Sequence, residues 1–276
     1  MTIPPSISPD AFRAFEHEGW QKVSQQYHNA FADLTSQAIT PLLDAVEVTA
    51  RVRVLDVATG PGYVAGAAAQ RGAAVTGIDF SSAMVAEARR HYPKVDFREG
   101  DAEDLPFAEG SFDGVVMNFG LLHFGRPELA LTEAHRVLRP GGKLGFTVWA
   151  KPEEAVGFGI VLDAIQKHGK LDVALPQGPN FFRFSDSDEC HRTLLGAGFV
   201  SPAVQRISQT WRLTTSELLF ESMLEGTVRT AGLLRAQPPD AMDGLRTAIR
   251  HLALQYKKGD VIKLPMPAIL ASAKKP

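Results

Sequence analysis

A chain of 276 residues, 45% of them hydrophobic, can bury a sizeable core as one large domain or a domain with a cap. Its formal net charge of −2, with acids and bases interspersed, argues against a dedicated nucleic-acid binder. The single cysteine, Cys190, excludes an internal disulfide and disfavours a thiolate metal site, and no secretory signal or bilayer-spanning apolar run is visible, so a cytoplasmic setting is expected.

Residues 10–48 read as two helices before the first strand, because Phe12, Phe15, Val23, Tyr27, Phe31, Leu34 and Ile39 recur at roughly helical spacing. Strands and helices then alternate. Val52–Val57 is a β-branched apolar strand, and a glycine turn leads from it into a helix at Val64–Arg71. A strand at Ala74–Ile78, a helix at Ser82–His91 with Ser81 as N-cap, and a strand at Val95–Arg98 follow. The loop Gly100–Glu109 leads to a fourth strand, Phe112–Met117. A helix at Glu128–Leu138 and a sharp turn at Pro140-Gly141-Gly142 precede a fifth, Lys143–Trp149. Single helices between strands predict right-handed crossovers and a parallel sheet covered on both faces.

After Trp149 the alternation breaks. Residues 151–182 hold a short helix and the loop Leu175–Asn180, and Asp188–Ala197 is a helix ended by Gly198. Val200–Leu213 holds a strand, 215–258 read as two or three helices interrupted at Pro238-Pro239, and Pro267–Ala273 is a last short strand. The expected organisation is an N-terminal helical cover (1–48), a ligand-binding core (49–150), and a remainder (151–276) with cap insertions at about 151–182 and 215–258.

The glycine turn carries the chemistry. Gly60 and Gly62 permit a tight turn and a close backbone approach to a ligand, and the helix start after them offers free N–H groups. Asp56 ends the strand ahead of the glycines, where it can face the amino group of an amino-acid-like ligand. Asp79 follows the second strand, where an acid accepts both ribose hydroxyls. Phe80 and Met84 can pack on adenine, although Met84 also suits plain core. His123 lies in the loop after the fourth strand, at the sheet edge where open α/β folds bind ligands. There it either takes a proton from an acceptor or is a structural histidine bonded to a backbone carbonyl.

In order and spacing, the elements Asp56–Gly62, Gly77–Met84, Glu99–Phe107, Phe112–Phe119 and Glu133–Gly142 resemble those of class I S-adenosylmethionine-dependent methyltransferases. The likeness is to the small-molecule group that includes the ubiquinone and menaquinone C-methyltransferases, and it covers about residues 50–150. It implies an α/β fold with a doubly wound, seven-stranded, mostly parallel sheet and helical cap insertions. It implies S-adenosylmethionine as cofactor and S-adenosylhomocysteine as product. By the same resemblance Asp101 accepts from the adenine amino group and the Ala102 backbone donates to an adenine nitrogen. Asn118 lies beside the transferred methyl, and an aromatic such as Tyr27 covers the cofactor. Ala58, also placed at the cofactor, stands where the family frequently has glycine or cysteine, and Tyr63 stands where a third glycine can occur.

The expected activity is methyl transfer to a small hydrophobic molecule, with the acceptor atom (oxygen, nitrogen or carbon) and the oligomeric state left open. Two other classes share the motif. One is an NAD(P)-linked oxidoreductase using Gly60-x-Gly62-x-x-Ala65 and Asp79. The other is a cofactor-binding protein of the same fold that transfers no methyl group. One cysteine does not suit an arsenic methyltransferase, Asn118-Phe119-Gly120-Leu121 is not the element of a DNA amino-methyltransferase, and no carboxylate cluster suits a catalytic metal.

Overall fold

Apolar β-branched residues covered on both faces make the central strand. β1 (Arg53–Val57) pairs in parallel with β2 (Ala74–Asp79) on one side and β4 (Phe112–Asn118) on the other, and its last four residues are buried. The computed structural model describes residues 8–276. Outward from β2 lies β3 (Asp96–Glu99), and outward from β4 lies β5 (Leu138–Trp149). β10 (Ala268–Lys274) is antiparallel to β5 and to β6 (Val200–Ile207). The seven-stranded order is therefore β3-β2-β1-β4-β5-β10-β6, the mostly parallel sheet that the sequence predicts. The chain reverses direction across the sheet between β1 and β4. The carboxyl ends of strands at such a switch open a crevice suited to ligands.

Helices cover both faces. α1 (Pro9–Thr35) starts at the N-cap Ser8, whose side chain accepts from the Ala11 amide, and a short 3₁₀ turn joins it to α2 (Ile39–Ala45). α3 (Tyr63–Gln70) follows β1, α4 (Ser82–His91) follows β2, and α5 (Pro127–Val137) precedes β5. Ser81 caps α4 through the Met84 amide, as its position before the helix predicts. In the segments expected to form the cap, α10 (Met242–Leu254) packs on α6 (Val156–His168) and α8 (Glu217–Glu225), and α8 on α9 (Arg229–Arg235), while α7 (Ser187–Gly196) lies beside β6. No helix among the described residues is long and apolar enough to cross a membrane.

Two local readings change. The expected single strand within 200–213 is two: β6 joins the large sheet, whereas β7 (Thr210–Leu213) turns away at Gln209. Gln209 is buried, and its Nε2 donates to the Leu34 carbonyl, which anchors the turn against the end of α1. β7 pairs with β9 (Val261–Pro265), which also pairs with the two-residue β8 (Lys257–Lys258), forming a small antiparallel sheet. The second change is at Pro140-Gly141-Gly142. The segment is carried within β5 rather than ending before it, because the Gly141 amide donates to the Lys275 carbonyl and the Lys275 amide to the Gly142 carbonyl. The register against β4 shifts there, and Gly141 takes a positive φ of 79°.

Candidate active site

The carboxyl ends of β1, β2 and β4 open into a cleft enclosing about 1290 Å³ of empty space, part of it open to solvent. Asp56, Ala58, Gly60, Asp79, Phe80, Met84, Asp101, Ala102, Asn118, Tyr27 and His123 all line it. Gly62 does not. It is the left-handed N-cap of α3 (φ 85°), and a Cβ there would lie 2.8 Å from Phe97, so its lack of a side chain serves packing. Gly60, also left-handed, differs: a Cβ added to it would meet no atom within 4 Å. Its missing side chain leaves room in the cleft itself.

The acids are held by backbone. Asp56 Oδ2 accepts from the Thr59 hydroxyl at 2.6 Å and the Ala65 amide at 3.0 Å, whereas Oδ1 is buried with no partner. Burial pushes Asp56 up to about 7, against the pull of those hydrogen bonds, and the neighbouring Asp79 charge adds to the rise. The two oxygens of Asp79 accept from the Gly60 amide at 2.8 Å and the Ser81 amide at 2.9 Å. Each retains a lone pair for a hydroxyl donor. Burial pushes Asp79 up to about 6, opposed by the two amides and, more weakly, by His123 and His17. Ala58 holds a positive φ of 54°, a conformation an L side chain rarely adopts, at the wall of the cleft.

α1 lies across this edge and supplies groups that the sequence did not single out. Arg13 pairs with Asp101, whose other oxygen accepts the Glu103 amide. Gln21 accepts from the Ser81 hydroxyl at 3.0 Å and the Ala83 amide at 2.9 Å, tying α1 to the start of α4. Asn118 is committed to structure: its Nδ2 donates to the Thr35 carbonyl, and its Oδ1 accepts from Thr147. The Tyr27 hydroxyl donates to Thr35 Oγ1 at 3.3 Å.

His123 is bonded to a carboxylate rather than to a backbone carbonyl. Its Nδ1 lies 3.0 Å from Glu16 Oε2, which also accepts from Trp20 Nε1 at 2.9 Å. Glu16 is fully buried on α1, and the Trp20 ring meets the His123 ring edge-on at 4.9 Å. The signal for Glu16 was present in the sequence: an acid set into the apolar stripe Phe12, Trp20, Val23, Tyr27, Phe31 of a helix needs a partner inside. Beyond His123 the cleft becomes an aromatic chamber. Tyr27 and Phe31 come from α1, Phe119 stacks on Trp149 at 4.0 Å, and Phe158 and Phe181 complete the wall. Among the described residues no cluster of three or more acids, histidines or cysteines could hold a metal ion.

The residues fit the expected cofactor on three independent points. The unpartnered Asp56 Oδ1 awaits a donor, the space beside Gly60 admits a ligand, and Asp79 offers two acceptors at the second strand's end.

Residues 55–146 match the family model described as a methyltransferase domain. Among curated proteins, the demethylmenaquinone methyltransferase of Renibacterium salmoninarum is 43% identical over 111 residues, which are 40% of this chain and 47% of that protein. The chain thus spans about half the length of the curated relatives it matches. Two solved structures share the fold. A Thermotoga maritima S-adenosylmethionine-dependent methyltransferase has a TM-score of 0.55 at 19% identity, covering 95% of this chain and 100% of that one. A Haemonchus contortus phosphoethanolamine N-methyltransferase, in complex with S-adenosylhomocysteine, has a TM-score of 0.57 at 21% identity, covering 99% of this chain and 61% of that one. The segment from β1 to β5 is thus similar to a methyltransferase domain, and the chain shares its fold with these two solved structures.

Proposed function

We propose that this chain transfers a methyl group from S-adenosylmethionine to a small, hydrophobic, aromatic acceptor. The observation that carries the reading is one continuous cleft. It joins the acid-and-glycine edge of β1 and β2 to an aromatic chamber, with His123, held from behind by Glu16, on its wall. The curated relatives are named for methylating demethylmenaquinone, and a quinol-like ring suits walls of Phe, Trp and Tyr. No feature of the cleft favours hydride transfer to a nicotinamide.

When bound, S-adenosylmethionine supplies a methyl group on a sulfonium that is already a good leaving group. The chain's own residues do the rest. Asp79 would accept the ribose hydroxyls, Asp56 Oδ1 the ammonium, and Phe80 and Met84 would flank the adenine. Asp101 would take the adenine amino group while Arg13 keeps its other side. The aromatic chamber orients the acceptor and excludes water, and such alignment lowers a barrier by several kcal/mol. Glu16 Oε2, accepting from Nδ1, would fix the His123 proton there and leave Nε2 free to take a proton from the acceptor. The proposed setting is cytoplasmic, with a small molecule and no nucleic acid as partner.

The test has two stages. Isothermal titration should show S-adenosylhomocysteine binding in the micromolar range, about −8 kcal/mol, with NADH not binding. Radiolabelled S-adenosylmethionine with a metabolite extract should then yield a labelled hydrophobic product. Binding of NADH and of neither sulfur ligand would overturn the reading.

A further inference from the structure

One half-buried cation remains outside this account. Arg229 begins α9 and lines the aromatic chamber. Its guanidinium lies over the rings of Phe12 at 5.0 Å and Phe181 at 5.3 Å. Its Nη1 is buried and has no hydrogen-bond partner. Glu16 is near enough for its charge to act on Arg229, and its Oε1 is itself buried without a partner, but among the described residues no hydrogen bond or ion pair joins the two, and Glu16 does not line the chamber. Arginine remains protonated under all ordinary conditions, so the chamber carries a permanent cation.

Burying such a cation without a bonded partner is costly. Two ring faces recover part of that cost and hold the guanidinium plane in place, yet they offer no acceptor to its N–H groups. The acids that line the cleft, Asp56, Asp79, Asp101 and Glu103, come from the ends of β1 and β2 and the loop after β3, where each is already bonded to the backbone, Glu103 through the Arg126 amide. Arg229 comes from the cap and stands among aromatics. A planar ring bearing an oxyanion satisfies both features at once: the ring packs on Phe and Trp, and the oxyanion accepts from Nη1.

We propose that Arg229 is the anchor for a negatively charged oxygen on an aromatic acceptor, either a carboxylate or a ring-bound phenolate. The proposal rests on the methyl-transfer reading only in treating the bound anion as the acceptor. In that role Arg229 touches the acceptor and not the cofactor. It also selects the ionised form of a phenolic acceptor, which is the nucleophilic form.

The test uses the full-length protein and known probes. Titrations of 2-naphthoate and 2-naphthamide, with and without S-adenosylhomocysteine, compare a carboxylate with its neutral isostere. A second arm compares 4-nitrophenolate, at a pH where it is ionised, with nitrobenzene. Each anion is expected to bind about 10- to 100-fold more tightly than its neutral partner if its oxygen is the recognised kind. Preference in the first arm alone assigns a carboxylate, and in the second alone a phenolate. Arg229→Met should abolish the preference, Arg229→Lys should keep part of it, and S-adenosylhomocysteine affinity should be unchanged in both. That last measurement also reports that the variants are folded. Failure of S-adenosylhomocysteine to bind the wild type would undo the methyl-transfer reading, while the anion preference is still read on the ligand-free protein. Equal binding of anions and neutral partners, absence of binding by every anion, or a preference that survives Arg229→Met would overturn the proposal. So would a loss of S-adenosylhomocysteine affinity in Arg229→Met, which would assign the guanidinium to the cofactor's own carboxylate.

Discussion

The Asp79 carboxylate accepts the Gly60 and Ser81 amides, so it shapes the glycine turn as well as facing the cleft. Asp79→Ala should weaken S-adenosylhomocysteine binding by about 1.5–3 kcal/mol, read by titration calorimetry, as expected for loss of a charged hydrogen-bonding group. The wild-type affinity should also fall as pH drops through about 6, because protonation removes the charged acceptor. Stability runs the other way. Burial raises Asp79 to about 6 and Asp56 to about 7, above the ordinary carboxylate value expected in the unfolded chain. Between about pH 4 and 7 the folded state therefore binds more protons, and this contribution to stability declines as pH rises. Scanning calorimetry of the ligand-free protein should show that decline, and Asp56→Asn should flatten it. The two glycines separate fold from site. Gly62→Ala, at positive φ and facing Phe97, should lower stability by about 1–3 kcal/mol. Gly60→Ala carries the same positive-φ cost but meets no neighbouring atom, so it should lower stability less than Gly62→Ala while weakening S-adenosylhomocysteine binding more; a reversed pattern in melting and titration would refute this division. His123→Ala should slow single-turnover transfer by about 10²–10⁴-fold with cofactor affinity unchanged, and wild-type rates would remove the imidazole from the chemistry. Glu16→Gln, acting through His123, should lower kcat while leaving KM nearly untouched. Asp56, Asp79 and His123 were legible in the sequence because strand ends and glycine turns fix their positions. Arg13 and Arg229 were not assigned, because Asp101 and Phe181 lie far from them along the chain and only packing brings them to the cleft; Glu16 was signalled by its place in an apolar stripe, but its pairing with His123 was not.

At the scale of elements, hydrophobic period and glycine punctuation made β1 to β5 readable, since each strand there is a short buried run between helices. The small β7-β9-β8 sheet was not readable. β8 has two exposed lysines, and β7 is distinguished from β6 only by the anchoring of Gln209 beneath α1. α1 itself was visible as a helix, but its course across the ligand edge was not, because that course is set by tertiary pairs. Arg126 pairs with Asp10, Arg13 with Asp101, and Gln21 with the start of α4. Partly exposed ion pairs of this kind each contribute at most about 1 kcal/mol. Arg13→Ala should therefore leave stability nearly unchanged yet raise the S-adenosylhomocysteine dissociation rate about 2- to 5-fold, measured by stopped flow. An unaltered rate would mean that this pair does not hold the helix over the ligand.

At the scale of the whole molecule, the sheet supplies the acid-and-glycine edge and α1 with α6 and α9 supplies the chamber, so the proposed cofactor and acceptor would share one cleft. Hydrogen exchange in α1, α6, α8 and α9 should slow when S-adenosylhomocysteine and an acceptor analogue bind together, and unchanged exchange in all four would show that the cover does not respond to occupancy. The ties along α1 have a kinetic consequence. Glu16 is bonded to His123, Gln21 to Ser81 and Ala83, and the Thr35 carbonyl to Asn118, so one helix is fastened to the rim at three successive points. Products of the proposed transfer would lie beneath those fastenings, and their escape would require several bonds to break together. Departure is then expected to outlast chemistry. Rapid-quench measurements should show an initial burst of methylated product close to one equivalent per protein, followed by a slower steady rate that falls as solvent viscosity increases.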